Sequence, residues 1–217
     1  MKPSDPTRAR TGAQLLIDSL KVHGVDLVFG VPGESYLDAL DAFYGAREQI
    51  KFVICRQEGG VANMAEAYGK LTGRPGIAFV TRGPGATNAS IGIHTAFQDS
   101  TPLILFIGQV STEVTEREAF QELDYRRMFG QMTKWVAQID RAERVPEMVS
   151  HAFHLAVAGR PGPVVLALPE DMQSATATVA DTARYQRVAA HPGAEDMNRL
   201  RAMLAQAERP FVMLGGG

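Results

Sequence analysis

The feature that most limits the possible folds is a pair of short apolar runs in which polar and apolar residues do not alternate. Residues 103–107 are Leu-Ile-Leu-Phe-Ile, and residues 163–168 are Pro-Val-Val-Leu-Ala-Leu. Strands of this kind are covered on both faces, as in a parallel sheet that carries helices on each side. We therefore expect both runs to be inner strands of such a sheet.

Strand and helix patterns alternate through most of the chain, with short turns between them. Thr11 and Ser35 are candidate N-caps of the first two helices, and Gly24 is a candidate C-terminal glycine. This order predicts an α/β fold, three-layer, with a mainly parallel sheet of about six strands and helices on both faces. The further strands are predicted at 25–31, 52–55, 76–81 and 133–139, and the helices at 11–24, 35–43, 58–72, 86–95 and 145–157.

The character of the sequence changes from Pro169 onward, and the segment at residues 174–182 is small and polar. Beyond it, a helix is predicted at 195–207 and a strand at 211–214, which leads into glycines as at the start of a nucleotide-binding βα unit. We therefore expect the 217 residues to be an N-terminal piece of a longer polypeptide. The predicted division is a domain at 1–172, a linker at 173–194 and the start of a truncated central domain at 195–217. Apolar residues of the late helix are expected to face inward: Met197, Leu200, Met203 and Leu204.

Composition excludes several classes of function. A net charge of −2 gives no support for nucleic acid or an anionic membrane as a partner, and no run approaches the ~18 apolar residues of a membrane span. Residues 1–10 resemble a loose leader without a signal-peptide core. Cys55 is the only cysteine, which fits a reducing, cytoplasmic setting, and we expect it to be a buried thiol.

Three glycine-containing turns follow predicted strands, at residues 30–34, 57–60 and 81–88. All three would lie at the carboxyl edge of a parallel sheet, where open α/β sheets bind ligands. Glycine lets the backbone approach a ligand, although such turns also need glycine for their own geometry. Glu58 begins a predicted helix at the second turn. Locally it is either a stabilising first-turn acid or a catalytic or cofactor-binding acid.

Other common motifs are missing from the sequence. No Walker A loop, Gly-x-Gly-x-x-Gly or Gly-x-Ser-x-Gly occurs, although residues 83–85 could form an anion-binding turn. Among the histidines only His151 and His154 have a useful spacing, and a structural role is the better interpretation for both. The sequence therefore predicts no metal ligand in this chain.

Taken together, six segments resemble the N-terminal pyrimidine-binding domain of thiamine-diphosphate enzymes, in particular the acetolactate synthase-like group. They follow the order of that family over residues 11–172. The segments are Phe29–Gly33, Gln57–Gly60 with Met64–Gly69, Thr81–Asn88, Gly108–Val110, Ala119–Glu122 and Gly159–Val164.

The resemblance implies roles for individual residues. Glu58 would be the catalytic glutamate, which hydrogen-bonds N1′ of the aminopyrimidine and so promotes loss of the proton from C2 of the thiazolium. Gln121 would approach the reacting end of the cofactor as a second catalytic residue. Phe120 would either shape the substrate pocket or simply pack. The implied cofactor-binding residues are Pro32, Gly33, Glu34, Glu58, Thr81, Pro84 and Asn88.

The resemblance also implies an activity: decarboxylation of a 2-keto acid, followed by transfer or ligation of the resulting carbanion. Alternatives keep the cofactor but change the substrate (oxalyl-CoA, sulfoacetaldehyde, glyoxylate or an aromatic keto acid), or make the chain a non-catalytic nucleotide-binding module. Mg²⁺ would be bound by a Gly-Asp-Gly segment with a downstream asparagine, which this sequence lacks, and FAD could bind elsewhere in a full-length protein. A homodimer or homotetramer would complete the site, so the piece alone would be inactive.

Two departures from the family pattern concern the site itself. Gln57 stands where many relatives carry histidine, which puts a proton relay at that position in doubt. Glu34 stands where many relatives carry glycine or another small residue. Both departures favour the wider group over acetolactate synthase proper.

Overall fold

The computed structural model describes residues 8–215, and its central feature is a six-stranded sheet in which all strands are parallel. The strands are β1 (Arg10–Thr11), β2 (Leu27–Gly30), β3 (Lys51–Ile54), β4 (Gly76–Val80), β5 (Leu103–Gln109), β6 (Trp135–Gln138), β7 (Pro163–Pro169) and β8 (Thr176–Ala177). The main sheet has the order β3-β2-β4-β5-β7-β6, and β1 pairs with β8 in a separate antiparallel ribbon. The predicted sheet of about six strands is confirmed.

Helices cover both faces of this sheet. They are α1 (Gly12–Val22), α2 (Leu37–Gly45), α3 (Glu58–Thr72), α4 (Pro84–Gln98), α5 (Tyr125–Phe129), α6 (Val145–Val157), α7 (Glu170–Ser174) and α8 (Ala194–Gln206). Strand β5 shows why its sequence does not alternate. Ile104 and Phe106 belong to a core shared with α1, α2 and α6, while Leu105 and Ile107 belong to a second core under α3 and α4. The three-layer α/β arrangement is therefore confirmed.

Local signals at the first helix act as predicted. The Thr11 hydroxyl accepts a hydrogen bond from the Gln14 backbone N–H, and the Gln14 side chain accepts one from the Thr11 N–H, both at 3.1 Å. Gly24 has a φ of +79°, a conformation that favours glycine after a helix. Cys55 is buried, as expected.

The prediction that Ser35 caps the second helix is wrong. Ser35 lies inside a short 3₁₀ turn, Glu34–Tyr36, and α2 begins only at Leu37 without a side-chain cap. The serine is fully buried, and its hydroxyl forms a hydrogen bond with the Thr81 hydroxyl in another turn of the site. Tertiary hydrogen bonding has replaced the local role that the sequence suggested.

The late part of the chain also departs from prediction. The apolar residues of α8 are 36–62% exposed, and residues 211–214 form no strand. They belong to neither hydrophobic core of residues 8–215, and a strand needs a neighbour for its backbone hydrogen bonds. Met64 of α3 is also exposed. The exposed residues of α8 are Met197, Leu200, Met203 and Leu204.

Some predictions remain outside these observations. Residues 1–7 of the expected leader, and the last two glycines, lie outside the described residues. The division at residues 172–173 and 194–195 stays a prediction. Across residues 8–215, no helix is both long enough and apolar enough to cross a membrane.

Candidate functional site

The site lies at the carboxyl edge of three neighbouring strands. Strand β2 pairs with β3 on one side and with β4 on the other, all in parallel. The glycine-containing turns that follow these strands therefore meet at one edge, as the sequence predicts. This topology brings Glu58, at the start of α3, next to the beginning of α4.

Glu58 is held by a residue of the neighbouring helix. The Asn88 Nδ2 donates a hydrogen bond of 3.0 Å to Glu58 Oε2. The two helices approach closely because Gly92 of α4 faces Ala62 of α3, where an added Cβ would lie 2.5 Å from the Ala62 Cβ. Close helix packing thus fixes the position of the Glu58 carboxylate.

The second oxygen of Glu58 is open. Among the hydrogen bonds of residues 8–215, the Glu58 carboxylate has Asn88 as its one partner, so Oε1 is left for a ligand. Gly85 lies beside this oxygen, and an added Cβ there would be 3.5 Å from it. The carboxylate is partly buried, which places it at a surface opening rather than in the core.

Gln57 has a structural task. Its side-chain Oε1 accepts a hydrogen bond of 3.1 Å from the Gly60 N–H and so caps α3. This satisfies one of the unpaired backbone donors at the helix start. The departure from histidine at this position is therefore explained locally as helix capping.

Tyr36 is a neutral neighbour of the carboxylate. Its ring is buried, and its hydroxyl donates a hydrogen bond to the Val31 carbonyl. Burial raises the pKa of Tyr36, and the negative charge of Glu58 raises it further. The phenol consequently stays protonated and adds no second negative charge beside Glu58.

The first and third glycine-containing turns of the site contact each other directly. Gly33 lies against Thr81, where an added Cβ would be 2.4 Å from the Thr81 Cβ. The hydroxyls of Ser35 and Thr81 are 2.8 Å apart, and Ser35 Oγ also accepts from the Arg82 N–H at 3.2 Å. Pro32 and Pro84 are both exposed, the latter as the first residue of α4.

Arg82 is a residue of the site that sequence reasoning missed. Arg82 is buried, and its side chain donates to Glu34 Oε1 at 3.0 Å, to Glu170 Oε1 at 2.6 Å and to the Phe120 carbonyl at 2.9 Å. The unusual glutamate at position 34 was the available signal, because an acid at a turn needs a partner. The Glu34 carboxylate accepts a hydrogen bond from Arg82, and contact between Glu34 and a cofactor stays a prediction.

Phe120 and Gln121 lie on an irregular loop next to the turn that follows β4. Phe120 is 70% exposed, so it is not part of the core of residues 8–215. Gln121 has a φ of +62°, a region that costs a non-glycine residue about 1–2 kcal/mol. Its backbone lies against Gly83, where an added Cβ would be 2.7 Å from the Gln121 carbonyl oxygen.

The arrangement matches the chemistry of an aminopyrimidine. That ring offers a nitrogen that can share a proton with a carboxyl group, and the open Oε1 of Glu58 is such a partner. The first turn of α3 also has open space beside Gly60, where an added Cβ would meet nothing within 4 Å. The residues present therefore fit the pyrimidine end of thiamine diphosphate.

Comparison with known proteins supports this interpretation. The acetolactate synthase large subunit of Lactococcus lactis subsp. lactis is 36% identical over 221 residues, which cover 100% of this chain and 38% of the relative. The acetolactate synthase isozyme 2 large subunit of Escherichia coli is 36% identical over 95% of this chain and 37% of its own length. The mitochondrial acetolactate synthase catalytic subunit of Saccharomyces cerevisiae is 33% identical over 95% of this chain and 32% of its own length.

The chain thus spans about a third of the length of these curated relatives. A family model described as "Thiamine pyrophosphate enzyme, N-terminal TPP binding domain" matches residues 10–128. This match covers more than half of the 217 residues and includes every turn of the site described above. The chain therefore belongs to the thiamine pyrophosphate enzyme family, as its N-terminal TPP binding domain.

Proposed function

We propose that this chain supplies the aminopyrimidine-binding half of an enzyme that decarboxylates a 2-keto acid and transfers or ligates the resulting carbanion. The observation that carries the proposal is the Glu58 carboxylate, which Asn88 holds at 3.0 Å with its other oxygen open to a ligand. The similarity to acetolactate synthases supports the choice of reaction.

The residues of the chain would bind and orient the cofactor. Glu58 would hold a proton at Oε1, facing the ring nitrogen, while Asn88 fixes the rotamer of the carboxylate. Thiamine diphosphate, when bound, would supply the electron sink that lets carbon dioxide leave a 2-keto acid. Gln121 is proposed to act on the reacting end of the cofactor and Phe120 to shape the substrate pocket. The residues proposed to line the cofactor are Pro32, Gly33, Glu34, Thr81, Pro84 and Asn88.

The diphosphate end needs groups from elsewhere. Within residues 8–215, no cluster of three or more His, Cys, Asp or Glu side chains is placed to hold a metal ion. We propose that Mg²⁺ and the diphosphate are bound by a different domain, and that FAD, where present, also binds outside residues 1–172. The buried single thiol of Cys55 fits the proposed cytoplasmic location.

A second copy of the chain is the proposed source of the remaining groups, in a homodimer or homotetramer. Large apolar side chains are exposed on β3, the strand before Glu58, and on α4, the helix that carries Asn88, and exposed apolar surface can mark an interface. Ile54, at the end of edge strand β3, is 70% exposed, and Ile91 of α4 is 62% exposed. A partner that covers these side chains would also close the site from water.

The test uses the complete protein that carries this chain, with thiamine diphosphate, Mg²⁺ and pyruvate as the probe 2-keto acid. Glu58→Gln keeps the shape of the side chain but removes its proton exchange, so we expect turnover to fall about 10²–10⁴-fold. Glu48→Gln is the matched control, because the Glu48 side chain is 89% exposed and its nearest charged partner is Arg47.

The outcomes separate the competing functions. Calorimetry should show cofactor binding in the wild type and in both variants. The activity assay should show loss of turnover only in Glu58→Gln. Activity in Glu58→Gln within threefold of the wild type would refute the catalytic role. Absence of binding at millimolar cofactor would favour a non-catalytic module. Binding without pyruvate turnover would direct the assay to oxalyl-CoA, sulfoacetaldehyde, glyoxylate or aromatic keto acids.

A further inference from the structure

One buried arginine connects four separate segments of the site. Arg82 follows β4 and reaches Glu34 after β2, Glu170 after β7, and the Phe120 carbonyl in the irregular loop. All three side-chain nitrogens donate a hydrogen bond, at 2.6–3.0 Å. With two carboxylates already bound, Arg82 is not available to an anionic substrate.

The loop that Arg82 holds has an unfavourable backbone. Glu116, Glu118 and Gln121 all have positive φ, at +62°, +53° and +62°. Such conformations persist in non-glycine residues only where surrounding contacts enforce them. Inside the loop, the Glu122 carboxylate accepts from the Glu116 N–H at 2.7 Å and from the Ala119 N–H at 3.2 Å.

Contacts that anchor the loop to the rest of the site come from the turn after β4. Arg82 binds the Phe120 carbonyl, and the next residue, Gly83, contacts the Gln121 backbone. The Gly83 N–H also donates to the Tyr125 hydroxyl at 3.0 Å, just beyond the loop. This same turn begins α4, the helix that carries Asn88 to Glu58.

We propose that Arg82 is a positioning residue, which holds Phe120 and Gln121 against the Gly83 turn and so sets the place of Gln121 relative to Glu58. The effect of Arg82 on turnover rests on the proposed function, whereas its ordering of the loop is independent of that function. Glu34 and Glu170 orient the guanidinium group of Arg82, and this role explains the unusual glutamate at position 34.

The planar fork of arginine is essential to this role. Its nitrogens donate in three fixed directions, whereas lysine has a single charged centre on a flexible stem. Arg82→Lys therefore keeps the charge between the two glutamates but cannot satisfy them and the Phe120 carbonyl together. The matched control is Arg160→Lys. Arg160 lies just before β7, at the edge of the sheet opposite the site. It donates to Ser100 Oγ at 2.7 Å and to the carbonyls of residues 97 and 98.

The first measurement is amide hydrogen exchange by mass spectrometry on the complete protein without cofactor. In Arg82→Lys we expect the amides of residues 116–122 to exchange at least tenfold faster, because the loop loses its anchor. Exchange in α6 should be unchanged, which shows that the variant is folded. Arg160→Lys should leave the loop within twofold of the wild type. Equal loop exchange in the two lysine variants would overturn the proposal.

The second measurement is turnover of pyruvate with thiamine diphosphate and Mg²⁺. Arg82→Lys should lower kcat at least tenfold and change cofactor affinity less than threefold, since Arg82 does not line the cofactor. A faster-exchanging loop with unchanged kcat would overturn the link to Gln121. Failure of the wild type to bind cofactor would instead reject the proposed function, and the exchange result would still decide the structural role of Arg82.

Discussion

Replacing Gly92 with alanine tests whether the close packing of α3 and α4 holds Asn88 beside Glu58. An alanine Cβ at this position would lie 2.5 Å from the Ala62 Cβ and 2.7 Å from the Ala62 carbonyl carbon. Carbon atoms in contact normally lie about 3.5–4.0 Å apart. Because backbone atoms of α3 are part of the contact, no side-chain rotation can relieve it and the helices must separate.

The expected magnitudes follow from this geometry. A separation of about 1 Å restores ordinary contact distances, and it would stretch the Asn88–Glu58 hydrogen bond from 3.0 Å beyond useful length. Overpacking of a core costs about 1–3 kcal/mol, whereas glycine-to-alanine in a helix gains about 0.5–1 kcal/mol. We expect a net loss of about 1–2 kcal/mol in the free energy of unfolding.

Gly60→Ala is the matched control, on the facing helix. An added Cβ at Gly60 meets nothing within 4 Å, so this variant should show only the helical gain of about 0.5–1 kcal/mol. The free energies of unfolding of the two variants should thus differ by about 1.5–3 kcal/mol. Urea unfolding followed by circular dichroism, with a common m value, measures it directly.

Activity provides the functional arm of the same experiment. Gly92→Ala should lower the turnover of pyruvate even at temperatures where the variant is fully folded, because the Glu58 carboxylate loses its partner. The reasoning is refuted if Gly92→Ala is as stable as Gly60→Ala. It is also refuted if Gly92→Ala is destabilised but retains full turnover, since the helix spacing would then not govern Glu58.

Two predictions concern the core away from the site. Phe79 is fully buried and its ring stacks 4.7 Å from that of Phe106, so Phe79→Ala should cost about 3–5 kcal/mol in denaturant unfolding, and a loss below about 2 kcal/mol would contradict this. Burial lowers the pKa of His23 to about 4 from 6.5, assisted by the charges of His154 and Arg184. The unfolded chain therefore binds the proton first as pH falls between these values, and stability should drop by up to about 3 kcal/mol across that range. His23→Phe should show a pH dependence smaller by that amount in urea titrations, and an identical dependence would exclude His23 as its source.

The sheet and its ligand edge were predictable from the sequence because their signals are physical constraints. A run such as Leu103 to Ile107, short and bounded by turn residues, is typical of a strand buried on both faces, which requires helices on each side. Parallel strands then place their carboxyl ends, with the turns at Gly33, Glu58 and Gly83, on one edge. That edge is where Glu58 meets Asn88.

Contacts between distant segments were not predictable in the same way. Ser35 has the local pattern of a helix cap, but its hydroxyl binds Thr81, 46 residues away. Arg82 has three partners, and Glu170 is 88 residues distant in sequence. The exposed face of α8 was misassigned because amphipathic spacing indicates that a face is to be covered without saying by what.

The pairing of Arg82 with Glu34 changes how the departure at position 34 should be interpreted. A buried guanidinium is costly to leave without partners, and the Arg82 side chain is only 9% exposed whereas that of Glu34 is 60% exposed. The glutamate can thus offset the burial of the arginine while remaining partly in water itself. Position 34 and position 82 consequently act as one unit, in which a small residue at 34 would leave Arg82 with Glu170 as its remaining carboxylate among the described residues. The acid at position 34 is therefore evidence for an arginine-anchored loop in this chain, and not evidence against a site for an aminopyrimidine.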